Sequence, residues 1–152
     1  MPSLGVFAAG SAGKAYLSVT NVQGATITKG MAVALAIAGN SFNGNNAVLA
    51  ASAVTGNLPG FAGVANDDIA NTASGLVQCW GYAASVYLSR TNTSVTINQG
   101  DPLVPGAEAG GLTSAAPTFA NAGFRYILAS AIPVTLSNAV AAAYASGQVR
   151  CL

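Results

Sequence analysis

Two stretches decide how this chain is read: "YLSVTN", residues 16–21, and "YLSRTN", residues 87–92. Each runs on through a small polar turn into a second shared signature. The first copy continues as "TITKGMAV", residues 26–33, and the second as "TINQGDPLV", residues 96–104. Ile27 pairs with Ile97 and Gly30 with Gly100. The offset is 71 residues between Tyr16 and Tyr87 and 70 between the two glycines, so one residue is lost in between. A second match downstream in nearly the same register argues against coincidence and for two related halves. Internal repetition outranks other signals when a fold is read from sequence.

The shared I-x-x-G signature has a physical basis. The isoleucine anchors an incoming strand in the core, and two polar residues form an exposed turn. Glycine then supplies a backbone conformation that side chains resist. Ile27, Gly30, Ile97 and Gly100 are therefore read as structural turn residues, giving two similar corners of one small barrel.

Outward from the repeat, period-2 alternation and β-branched residues dominate, with turn signals every 8 to 12 residues, the spacing of a barrel or sandwich. The expectation is an all-β fold: a small β-barrel or compact sandwich with an internal pseudo-repeat, one domain over residues 1–152. Near the end, "SNAVAAAYASG" has Ser137 or Asn138 as a helix N-cap and Gly147 as a stop. It reads as one short helix or as a further strand. The opening "MPSLGVFAAGSAG", residues 1–13, reads as a flexible or partner-bound arm with Leu4, Val6 and Phe7 as apolar anchors at a partner or subunit interface, or as an edge strand over residues 4–8. It has neither the cationic start nor the long apolar run of a secretory signal.

Composition narrows the function classes. Five basic and four acidic residues make up 6% of the chain, against about 25% in an ordinary soluble protein. The net charge is +1, which gives no electrostatic reason to expect nucleic acid or an anionic membrane as partner. The longest purely apolar run, "MAVALAIA", falls short of the roughly 20 residues that span a bilayer. With so few charges, the exterior is suited to packing against copies of itself or a partner. The sequence has no histidine, so Ser-His-Asp and Cys-His arrangements are impossible. Asp67, Asp68, Asp101 and Glu108 are the only side-chain carboxylates, and the first two suit a solvated turn. Metal-ligand spacing and phosphate loops are absent. No catalytic, cofactor-binding or metal residue is expected. Cys79 and Cys151 make no disulfide framework. Trp80, Tyr82 and a neighbour form either packing or a sugar-stacking face.

The order of "GVANDD" (63–68), "GLVQCWGYA" (75–83) and "TINQGDPLV" (96–104) resembles the pattern of tailed-phage capsid decoration proteins, or cement proteins. The similarity covers Thr26 to Leu136. It implies a β-rich, non-enzymatic protein, usually a homotrimer, on the outside of the mature head where capsomers meet. The partners it implies are the major capsid protein and the chain itself, and the location is the virion exterior after synthesis in the host cytoplasm. The competing expectation is a carbohydrate-binding or fibre-tip module on a virion surface.

Overall fold

The computed structural model describes residues 13–37, 44–50, 61–90, 94–106, 108–114, 126–128, 132–137 and 141–150. Among them there are eleven strands and no helix. The strands are β1 (Ala15–Asn21), β2 (Ala32–Leu35), β3 (Asn46–Leu49), β4 (Phe61–Ala65), β5 (Ser74–Ser89), β6 (Val95–Ile97), β7 (Pro102–Pro105), β8 (Leu112–Ser114), β9 (Tyr126–Leu128), β10 (Val134–Leu136) and β11 (Ala142–Arg150). The architecture is all-β and fits a compact sandwich.

The pairing pattern repeats itself. β1, β3, β2, β4 and the N-terminal half of β5 close on themselves: β1–β3 is parallel, and the other four pairings are antiparallel. The C-terminal half of β5, β8, β7, β9 and β11 close in the same way, with β5–β8 as the parallel pair. The "YLSVTN" strand thus corresponds to the "YLSRTN" end of β5. β2 corresponds to β7, β3 to β8, β4 to β9, and the first half of β5 to β11. The small pairings follow suit. Ile27 bridges Ile69 in the first unit, and Ile97 pairs Val134 in the second. The sixteen-residue β5 is the last strand of one unit and the first of the next. This corrects the expectation of two corners in one barrel: each copy organises its own five-strand cycle, and one strand is shared.

The C-terminal stretch is a strand, which corrects the helix reading. β11 lies along β5, with Tyr144 opposite Tyr87 and Gln148 opposite Tyr82, and its other edge pairs β9. Alanine favours a helix locally by well under 1 kcal/mol per residue. The ladder along β5, joined by β9 at Gly147–Val149, outweighs that preference.

Two apolar clusters fill the units. Val19, Ile27, Val33, Ala47, Ile69 and Val77 pack inside the first. Leu88, Ile97, Leu103, Leu112, Leu136 and Val149 pack in the second, and Ala32, Ala34, Ala50 and Val64 of the first unit join them. β2 therefore buries both faces, Val33 inward and its alanine neighbours across the seam. That accounts for the continuous apolar run at this strand, since alternation disappears when neither face meets water.

Asn21, the last residue of the first signature, is fully buried and fully bonded. Its amide nitrogen donates to the carbonyls of Ala25 (2.7 Å) and Ile69 (2.8 Å), and its oxygen accepts from the Gln23 N–H (2.8 Å). The "TN" ending thus ties the turn after β1 to the bridge at Ile69.

Candidate functional site

The site is built on β5, whose length lets one strand present a continuous outer face. In its N-terminal half Val77, Cys79 and Ala83 point inward and are buried, and beyond the register shift between Ala83 and Val86 so are Val86 and Leu88. Strand alternation turns Leu76, Trp80 and Tyr82 the other way. They are 45%, 39% and 50% exposed, respectively. Their cross-strand neighbours extend the face. Ser18 lies opposite Leu76 and Tyr16 opposite Gln78 on one edge, and Gln148 lies opposite Tyr82 on the other. Gln78 is buried at the centre and donates from its amide nitrogen to the Trp80 carbonyl at 3.1 Å.

Gly81 explains why the face can form between its two aromatics. It adopts φ +95°, and a Cβ there would lie 2.1 Å from the Gly13 carbonyl oxygen. The backbone entering β1 therefore crosses directly over position 81. Only glycine admits so close an approach at that φ.

A second aromatic pair continues along the same ladder. The Tyr87 and Tyr144 rings lie 5.1 Å apart at 44°, and Tyr144 is exposed. The Tyr87 hydroxyl donates to Glu108 at 2.6 Å. Burial, then the Glu108 hydrogen bond and charge, push the Tyr87 phenol up to about 12.

The sequence-derived residues divide clearly. Ile27 and Ile97 are completely buried, and Gly30 and Gly100 both sit at φ +85°. Leu4, Val6 and Phe7 lie outside the described residues, as does Cys151. Cys79 is a buried free thiol, and burial raises its pKa. The four acids do not converge. Asp67 stands 3.9 Å from the Lys29 ammonium with both side chains well exposed, and Asp68 accepts from the Lys29 backbone N–H at 2.7 Å. Asp101 accepts from the Asn98 N–H at 2.8 Å within its own turn, and Glu108 holds Tyr87. Among the described residues no group of three His, Cys, Asp or Glu side chains could hold a metal ion, and no helix is long and apolar enough to cross a membrane. The sequence singled out Trp80 and Tyr82. It missed the contribution of Gln148, whose partner strand lies 66 residues along the chain, beyond the reach of local pattern (148 − 82).

No protein-family model matches the chain, and no curated protein matches it.

Proposed function

We propose that the chain is a structural virion protein that binds the outside of a tailed-phage capsid and cements neighbouring major capsid subunits. The observation that carries this reading is the outer face of β5. Leu76, Trp80 and Tyr82 are exposed together on the longest strand of a chain that is only 6% charged. Aromatic anchors on a weakly charged surface are what a partner interface buries at its centre. The resemblance of the "GVANDD", "GLVQCWGYA" and "TINQGDPLV" series supplies the kind of partner, a capsid lattice. A cement protein needs no catalytic groups. An added interface of standard size, about 1,600 Å², repeated around a head, holds through multivalency even when each contact is weak. Homotrimer formation belongs to the same proposal.

The test is co-sedimentation with purified heads that lack the chain. The wild-type chain pellets with them, and a Trp80→Ala/Tyr82→Ala double variant of unchanged melting temperature stays in the supernatant. Equal pelleting of both proteins removes the aromatic face from the contact.

A second reading, carbohydrate binding, is favoured by one feature. Tyr82 faces Gln148, so an exposed ring and a neutral amide share one surface with Trp80. Rings stack on sugar faces and amides bond hydroxyls. Saturable retention on a glycan array, lost in the same double variant, supports this reading over the first.

A further inference from the structure

The two units carry the same strand signature, and they differ within it at one position. Val19 of "YLSVTN" becomes Arg90 of "YLSRTN". Val19 is buried in the first unit beside Ile27 and Val77. Its counterpart follows Leu88, itself fully buried, by the two-residue period that returns a side chain to the same face of a strand. Arg90 therefore starts from a position whose equivalent lies in a core. Its side chain is half-buried, and its Nε is sealed from solvent with no hydrogen-bond partner. The residue is tied in place by its backbone, whose N–H donates to the Ala141 carbonyl at 3.1 Å.

The chain supplies no side-chain counter-ion. All four side-chain carboxylates are among the described residues, and each is placed elsewhere. The one described ion pair joins Lys29 to Asp67. Asp68 receives the Lys29 N–H, Asp101 the Asn98 N–H, and Glu108 the Tyr87 hydroxyl. A guanidinium cannot shed its charge in a protein, and it carries five donors in a rigid fork. Partly buried charges are ordinarily paired.

We infer that Arg90 is a receiving position for a carboxylate presented by a partner protein. A single guanidinium matches a singly charged, planar carboxylate in a two-point hydrogen bond. A phosphate group carries close to two charges, and one isolated arginine neutralises only part of that. The inference rests on the proposed function only for the source of the carboxylate, an acidic side chain on the capsid protein. The site itself follows from the comparison of the two units.

The experiment begins with the isolated, ¹⁵N-labelled chain and sodium acetate as probe, against sodium chloride at matched ionic strength. The Arg90 Nη–H resonances, at the outer end of the half-buried side chain, are expected to shift saturably with acetate and not with chloride. The melting temperature of the wild type rises with acetate. Arg90→Val, which restores the first unit's residue, melts at or above the wild type in chloride and shows no acetate-dependent rise. Arg90→Lys keeps the charge, loses the fork, and weakens the acetate response at least tenfold. A linear, chloride-like shift of the wild-type resonances overturns the inference. So does an Arg90→Val protein that melts lower than the wild type or fails to fold, because the guanidinium then serves the fold. With purified heads, Arg90→Val is expected to bind at least tenfold more weakly than the wild type, and equal binding overturns the assignment. If acetate saturates Arg90 while the wild type ignores heads altogether, the capsid reading fails and the carboxylate site stands.

Discussion

Gly30 and Gly100 occupy equivalent turns at the same φ of +85°, yet they have different surroundings. Replacing each with alanine therefore separates the backbone cost of the turn from the packing of the seam. A Cβ at position 100 meets nothing within 4 Å. Gly100→Ala carries only the left-handed penalty, roughly 1–2 kcal/mol. A Cβ at position 30 lies 2.9 Å from Ser85 Oγ, 3.2 Å from the Ser85 carbonyl oxygen and 3.2 Å from Tyr144 Cε1. The turn cannot slide away. Its N–H donates to the Ala65 carbonyl at 2.8 Å, and its carbonyl accepts from the Tyr87 N–H at 2.8 Å. Overpacking of this kind adds about 1–3 kcal/mol. Gly30→Ala is thus expected to cost roughly 2–5 kcal/mol in all. For a chain of this size each kcal/mol lowers the melting temperature by about 2–4 °C. Urea unfolding with an unchanged slope measures both variants on one scale. Equal losses for the two substitutions, or a larger loss at Gly100, refute the reasoning, since the seam would then offer position 30 the open space seen at position 100.

Other expectations follow from single groups. Ser89 Oγ is buried without a partner, so Ser89→Ala should raise stability by about 1 kcal/mol in the same urea assay. Gly111→Ala should lower it by about 1–3 kcal/mol, because the new Cβ would press on the Ser89 side chain. Asn21→Leu takes their partner from the Ala25 carbonyl and the Gln23 N–H, leaves the Ile69 carbonyl with the Ile27 N–H alone, and should cost about 2–3 kcal/mol by thermal melting. The raised Tyr87 pKa has a defined pH signature. An unfolded phenol ionises near 10, and the folded one near 12. The folded state therefore holds its proton where the unfolded state releases it. This contribution to stability is intact below pH 10 and falls as pH rises from about 10 toward 12. Tyr87→Phe should show a shallower loss than the wild type between pH 9 and pH 11, read from urea midpoints, and parallel losses would contradict it.

The repeat was legible because its signature combines residues with independent physical constraints. Isoleucine, glycine at positive φ and a β-strand rich in tyrosine and leucine recur together. Sequence alone did not reveal that β5 serves both units. The stretch from Ser74 to Ser89 reads as one strand, although its buried face changes from odd to even positions between Ala83 and Val86, and nothing local says that its two halves have different partners. Helix and strand readings competed at residues 137–147 because alanine sets little preference, and from Ala142 onward the ladder to β5 decides. Trp80 and Tyr82 were recognisable as aromatics on one strand, but their exposure depends on β1 and β11 flanking β5 without covering its outer face. The divergence at Arg90 was printed in the repeated signature itself. Its meaning required the burial of Val19 and the placement of all four carboxylates.

Trp80 is the single tryptophan of the chain, and it sits within the proposed docking face. Replacing it biosynthetically with 7-azatryptophan gives a reporter that is distinguishable from tryptophans of the capsid. The decisive measurement is acrylamide quenching of that reporter in the free chain and in the chain pelleted with heads. Coverage of the β5 face should lower the quenching constant severalfold on the head. A chain that pellets with its reporter quenched as freely as before, or one that never pellets, contradicts the docking of this face on a capsid.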